Sequence, residues 1–432
     1  MSQDITFLGQ TTFRNEMKRF GIKTDDRRRH IYIVGKTGAG KTELMFNMAI
    51  QDLRRGYGVG FIDAQGEMAE RLLDFVPRER VNDVLYFNPG DLEFSIAFNI
   101  MEKVDVSRRN LVSSSLVASF KKIWPEIWSA HLEYIMENCI LALLEYPDST
   151  ILGIHRILAD NDYRQKVLER ITDPLVKSFW FHEFPKYTQS QELGAIALIK
   201  NKISQIIYNP FLRNVIGQTK SKIDFKKIVN EKNIFIANLA KSKIGEDNSK
   251  ILGVFLLTKL YLAILSGDDV PEEERKDFYL YLDEFQNFST KVFTNVFSEA
   301  RKYRLNLILA NQYLGQLEEI TPLGKSNEIR DAIFGNVGTI ICFRVGAEDA
   351  QFLEREFSPE FTVQDLINLT KYNIYLRLMV NGVAARPFSA ITLVPLEKPE
   401  GANKENIIKV SRERYGTPRK LIEEKLGRWA GV

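Results

Sequence analysis

Up to about residue 105 the chain alternates short apolar runs with amphipathic stretches. Ile31-Tyr32-Ile33-Val34 predicts a buried strand, Glu43 to Arg55 a helix and Tyr57 to Asp63 a second strand. A helix over Glu67 to Phe75 and a strand over Val84 to Phe87 follow. This βαβ rhythm predicts a mostly parallel sheet with helices on both faces. The pattern then changes. From Val106 to Gly217 only helical periodicity remains, at 110–123, 128–144, 151–159, 163–171, 174–184 and 191–207, punctuated by Pro147, Pro174, Pro185 and Pro210. Alternation resumes at Asn233, with strands expected at 234–239, 278–282, 305–310, 339–343 and 374–379. Helices are expected between them at 249–266, 291–303, 328–334 and 348–356. The expected fold is α/β: a mostly parallel sheet domain (28–105 and 218–400) carrying an inserted all-helical domain (106–217). An N-terminal segment (1–27) precedes it, and a basic tail (401–432) follows, expected as an extended arm ending in a short helix.

Composition narrows this little. A chain of 432 residues with 44% hydrophobic content can fill two or three cores. Basic and acidic residues nearly balance, 59 against 56, so any nucleic-acid surface must be local. Cys139 and Cys342 each sit in an apolar run, as small buried residues of a reducing compartment do. His30, His131, His155 and His182 lack metal-ligand spacing. The longest apolar candidate, Ile251 to Leu265, is interrupted by Thr258 and Lys259 and predicts a buried helix, not a membrane span. With no apolar segment in Met1 to Phe20 suited to a signal peptide, a soluble, cytoplasmic protein is expected.

The chemistry is concentrated in a few motifs. Gly35-Lys36-Thr37-Gly38-Ala39-Gly40-Lys41-Thr42 fills every slot of G-x-x-x-x-G-K-[ST] between a predicted strand and a predicted helix. The glycines let backbone N–H groups turn inward around a phosphate at a helix N-terminus. Lys41 then reaches the β- and γ-phosphates of ATP, and the Thr42 hydroxyl ligates Mg²⁺. The strand Phe278 to Leu282 ends in Asp283-Glu284, which predicts a metal-shell Asp and a Glu that polarises the attacking water. The next strand ends in Asn311-Gln312, where Gln312 can contact both γ-phosphate and water; an ordinary polar cap is the alternative. Arg344, at the tip of the strand 339–343, is a candidate to act in trans on a neighbour's nucleotide, with Arg301 and Arg304 as competitors and structural ion pairing as the alternative for all three. Asp63 closes a strand and either supports the metal's water shell or caps the following helix. Basic and aromatic residues interleave at Lys121-Lys122, Trp124, Phe184, Lys186-Tyr187, Lys200, Lys202, Tyr208 and Arg213. Further basic clusters lie at Lys220 to Lys227 and Arg27-Arg28-Arg29-His30. Each is either a DNA-contacting patch or a solvated helix face.

In one order, the phosphate loop, Phe61-Ile62-Asp63 with Gly66, the helical insertion, Leu282-Asp283-Glu284-Phe285-Gln286-Asn287, Ser298 to Tyr303, Ala310-Asn311-Gln312 and Gly338 to Asp349 resemble the conjugative coupling-protein ATPases of type IV secretion systems and their HerA/FtsK-type DNA-pumping relatives. The resemblance runs from about Arg28 to Phe388. It implies a RecA-like P-loop ATPase that forms a hexameric ring and uses ATP and Mg²⁺ to move DNA, working with secretion or relaxosome proteins. It assigns phosphate and Mg²⁺ to Lys41 and Thr42, the Walker B pair to Asp283 and Glu284, and the sensor to Gln312. Two departures stand out. Coupling proteins usually begin with transmembrane helices, which this sequence does not show, and related chains often read Asp-Pro-His-Gly-Asp where this one has Asp63-Ala64-Gln65-Gly66-Glu67. A P-loop motor acting on proteins and a nucleotide-dependent scaffold with little hydrolysis are the alternative readings.

Overall fold

Ile31-Tyr32-Ile33-Val34 is buried at every position, as a parallel strand covered by helices on both faces requires. The same holds for Gly58–Asp63, Val84–Phe87, Ile234–Asn238, Phe278–Leu282, Leu305–Asn311 and Thr339–Cys342. In the computed structural model, which describes residues 5–12, 17–102, 104–188, 192–266, 270–321 and 324–430, these runs form the parallel part of an 11-stranded sheet.

Numbered along the chain, its strands are β1 (Ile5–Thr11), β2 (Arg19–Lys23), β3 (Ile31–Val34), β4 (Gly58–Asp63), β5 (Val84–Phe87), β6 (Ile234–Asn238), β7 (Phe278–Leu282), β8 (Leu305–Asn311), β9 (Thr339–Cys342), β10 (Asn373–Arg377) and β11 (Phe388–Thr392). Their order is β2-β1-β11-β10-β9-β3-β8-β7-β4-β6-β5. From β9 to β5 every pair is parallel, and β10, β11, β1 and β2 extend the sheet antiparallel. The α/β class with a mostly parallel sheet is therefore as expected. The extension was not: β1 and β2 lie inside the stretch read as an N-terminal segment. Ile5 and Phe7 point outward, and β2 buries only Ile22, so neither offers the apolar run that marks the central strands.

The chain divides into two compact units: residues 1–87, 225–240 and 263–411, and residues 88–224, 241–262 and 412–432. The first holds the large sheet and the helices Lys41–Arg54 and Glu67–Leu73. The second is built mainly from helices, among them Arg109–Ile123, Ala130–Glu145 and Glu192–Tyr208, with Gly416–Pro418 pairing antiparallel to Phe94–Ile96. It includes most of the helix Glu246–Leu265, against which Phe120 packs edge-on to Phe255 and Ser119 hydrogen-bonds Thr258 at 2.9 Å. That helix is the one among the described residues long and apolar enough to cross a membrane, and it is mostly buried within the protein.

The tail departs from expectation. Residues 404–430 are not an extended arm but two helices, Lys404–Tyr415 and Arg419–Ala430. Ile407 and Ser411 on the first, and Ile422 on the second, supply buried faces that a count of basic residues conceals.

Candidate functional site

The parallel order fixes where the motifs meet. β3, which leads into the phosphate loop, lies between β9 and β8, and β7 lies beyond β8. The tips of β9, β3, β8 and β7 thus share the carboxyl edge of the sheet, where open α/β folds bind ligands. The loop is tied down on both sides: Gly35 N–H donates to the Asn311 carbonyl at 3.2 Å and Lys36 N–H to the Arg344 carbonyl at 2.8 Å. At Gly40 (φ +122°) a Cβ would come within 2.8 Å of the Tyr372 ring, so only glycine fits. The helix Lys41–Arg54 then starts directly from the loop.

Lys41 is 7% exposed and folds back on the loop, its Nζ donating to the Gly35 and Lys36 carbonyls at 2.6 and 3.2 Å. Burial pushes its pKa down, while the charges of Asp283 and Glu284 pull it back up. Thr42 Oγ1 donates to Asp283 Oδ2 at 2.7 Å, joining the loop helix to the tip of the β7 segment. Burial raises the Asp283 pKa, opposed by the Thr42 bond and Lys41 and reinforced by Asp63. Among the described residues no group of three or more His, Cys, Asp or Glu could hold a metal by itself. Mg²⁺ at a phosphate site needs no such cage, being held by one or two carboxylates, water and the phosphates, so a hydroxyl paired with one carboxylate is a fitting donor set.

Glu284 takes a left-handed conformation, φ +50°. For a residue with a side chain this is uncommon, and such strain gathers at functional sites. Its Oε1 accepts from Gln312 Nε2 at 3.2 Å and Gln65 Nε2 at 3.0 Å, and its Oε2 from Asn287 Nδ2 at 3.0 Å. The structure therefore brings Gln312 to Glu284. Gln65 and Asn287 were not singled out in the sequence; the signal was the glutamine standing where related chains have histidine. Arg344 is exposed at the end of the β9 segment. Arg301 is exposed as well, and Arg304 is half-buried with φ +53°.

Asp63 serves the local backbone: Oδ1 accepts from Gln65 N–H at 2.8 Å and Oδ2 from Ala69 N–H at 3.0 Å, in the first turn of the next helix. The run Arg27-Arg28-Arg29-His30 is not a basic surface. Arg27 is 1% exposed and bidentate to Asp52 at 2.7 and 2.8 Å, and Arg28 is bidentate to Asp277 at 2.9 and 2.8 Å. His30 is buried and neutral, accepting from Leu307 N–H at Nδ1 and facing the Phe297 carbonyl with Nε2. Several cations of the other clusters have acidic partners: Lys121 with Glu133, Lys202 with Glu126, Arg213 with Glu423 and Lys227 with Glu231.

A lysine folded onto a glycine loop at a strand–helix junction, with a carboxylate tip two strands away in a parallel sheet, defines the phosphate-loop class of α/β folds. Comparison makes the assignment more specific. The family model of the type IV secretion-system coupling protein DNA-binding domain matches residues 16–358, and the chain belongs to that family. The type 4 coupling protein DotL of Legionella pneumophila is 22% identical over 407 residues, covering 80% of this chain and 50% of DotL. The chain thus spans about half the length of the curated relative it matches. Among solved structures, plasmid coupling protein TrwB in complex with ADP and Mg²⁺ has the same fold, with a TM-score of 0.62 at 14% identity over 92% of each chain. VirB4 of Thermoanaerobacter pseudethanolicus matches with a TM-score of 0.57 at 14% identity, over 91% of this chain and 97% of that one.

Proposed function

We propose that this chain is an ATP-dependent DNA translocase that works as a homo-oligomeric, hexameric ring. The observation that carries the reading is the Thr42–Asp283 contact of 2.7 Å beside the buried Lys41, because it joins the phosphate loop to the acidic strand tip in the arrangement ATP hydrolysis needs. In this reading Gly35, Lys36, Thr37, Gly38, Ala39 and Gly40 cradle the phosphates, and Lys41 exchanges its loop carbonyls for phosphate oxygens. Thr42 and Asp283 hold Mg²⁺, which supplies charge neutralisation on the phosphates. Glu284 orients and deprotonates the attacking water, Gln312 bridges that water and the γ-phosphate, and Arg344 acts in trans on a neighbour's site. DNA as the moved substrate is supported by family membership, and the helical residues 106–217 are proposed to meet it first. The ring would work on the cytoplasmic side of the membrane with secretion or relaxosome proteins.

The test is ATP hydrolysis with and without single- and double-stranded DNA, with oligomeric state measured alongside. Lys41→Ala should lose ATP binding; Glu284→Gln should bind ATP and fail to turn it over. Stimulation by polypeptide instead of DNA would transfer the reading to a protein-moving motor. Absence of phosphate release from the wild type would leave a scaffold.

A further inference from the structure

We infer that Gln65 is a latch on Glu284, a positioning residue that restrains hydrolysis until it lets go. The inference rests on Glu284 being the water-activating acid of the proposed reaction. An ionised carboxylate oxygen accepts about two hydrogen bonds in its plane. On Oε1 both are taken, one by Gln312 Nε2 at 3.2 Å and the other by Gln65 Nε2 at 3.0 Å. Oε1 is also the oxygen on which a water poised by Gln312 would have to act, because Gln312 reaches Glu284 there. The water and the Gln65 amide therefore compete for one acceptor position.

The three amides are not equivalent. Asn287 lies three residues beyond Glu284 in the turn that follows and binds the other oxygen, so it leaves Oε1 untouched. Gln312 is half-buried at the tip of the β8 segment, and its backbone N–H is held by Gln316 Oε1 at 3.0 Å. Gln65 comes from a different strand tip, and its side chain is exposed. Its backbone is anchored by the Asp63 carboxylate at 2.8 Å, and the next residue, Gly66 (φ +86°), leaves a Cβ only 2.4 Å from Asn238 Oδ1. A rigid loop with an exposed, rotatable amide is the cheapest of the three contacts to release. Whatever meets the solvent side of that loop, the bound nucleotide or a neighbouring copy, can draw the amide away and open Oε1.

The test compares steady-state hydrolysis by the full chain with and without DNA for wild type, Gln65→Ala, Gln65→His and Glu284→Gln. Gln65→Ala should raise kcat without DNA by up to about tenfold, the factor given by about 1.4 kcal/mol, the upper end for one ordinary hydrogen bond, since the Gln65 amide is exposed to competing water. KM for ATP should stay within about twofold, since no phosphate contact is lost, and the stimulation by DNA should shrink by the same factor. Gln65→His restores a donor, so its basal kcat should return toward wild type and fall further as the imidazole protonates near pH 6.5. A fall in kcat for Gln65→Ala, or no change, while Glu284→Gln is inactive, overturns the latch alone. Near-normal turnover by Glu284→Gln overturns the assignment of the acid, and the latch with it.

Discussion

Removing the Asp52 carboxylate should be among the most damaging single changes to the sheet unit. Asp52 sits at the end of the loop helix, fully buried, and accepts Arg27 Nη1 and Nη2 at 2.7 and 2.8 Å and Tyr281 Oη at 2.5 Å. Arg27 is also held by Thr6 Oγ1 at 2.8 Å and lies 3.7 Å over the Tyr279 ring. Charge centres about 4 Å apart attract by roughly 4 kcal/mol at an effective dielectric of 20, an attraction that offsets the several kcal/mol needed to dehydrate each ion. Asp52→Ala removes the attraction and leaves the guanidinium buried, so a loss of about 3–5 kcal/mol is expected. Arg27→Met should cost less than this, because Tyr281 remains to donate to Asp52. The double variant Arg27→Met/Asp52→Leu should recover most of the loss, since neither charge is then stranded. The 4 tryptophans, Trp124, Trp128, Trp180 and Trp429, all lie in the helical unit. Urea unfolding followed by far-UV circular dichroism reports both units and tryptophan fluorescence only the helical one, so the shift should be found in the circular dichroism. A loss under about 1 kcal/mol for Asp52→Ala, or a double variant no more stable than Asp52→Ala, would refute the argument.

Three further outcomes follow from the geometry. Burial first, with the Arg301 charge adding to it, lowers the His30 pKa from 6.5 to about 4; its contribution to stability is therefore whole above pH 6.5 and is lost as pH falls to about 4, roughly 3 kcal/mol in all. His30→Asn, which tolerates the φ of +63°, should flatten that part of a stability–pH curve, and an unchanged slope would count against it. Gly40→Ala, forced against the Tyr372 ring 2.8 Å away, should weaken ATP binding at least tenfold in a direct titration; unaltered affinity would contradict the geometry. Mixing Arg344→Ala chains with Glu284→Gln chains should restore hydrolysis at interfaces that join an intact Glu284 to a neighbour's intact Arg344; a flat result with assembly confirmed would move the role to Arg301 or Arg304.

What could be read from the sequence was what nearest neighbours determine. β3, β4, β7 and β8 are continuous apolar runs because helices cover both faces, and a run of that kind needs no partner to be recognised. β1, β2 and β11 pair antiparallel at one end of the sheet, and their part-exposed residues carry no such pattern. The phosphate loop and Asp283-Glu284 could be picked out for a similar reason, since spacing along the chain marks them, and the structure brings the two segments into contact. Gln65 gains meaning only from the sheet order, which places the β4 and β7 tips side by side, and Asn287 from the turn that folds it back on Glu284 three residues earlier. Arg27 was misread as surface because its counter-ion is Asp52, one strand and most of a helix further on.

These hidden contacts and the visible motif are parts of one arrangement. Tyr281 and Asp283 are two residues apart along the β7 segment, the spacing that puts both side chains on one face. Tyr281 bonds Asp52 near the end of the loop helix, and Asp283 bonds Thr42 at its beginning. One helix is thus pinned to one strand at both of its ends, by the buried Tyr281–Asp52 bond behind and by the Thr42–Asp283 bond in front. A slip of β7 by one residue would turn both side chains to the other face and break both contacts together. The Arg27–Asp52 pair therefore does more than add stability: it helps to hold the register on which the distance between Thr42 and Asp283 depends. On this reasoning Asp52→Ala should impair Mg²⁺-dependent ATP binding even in conditions where the chain remains folded.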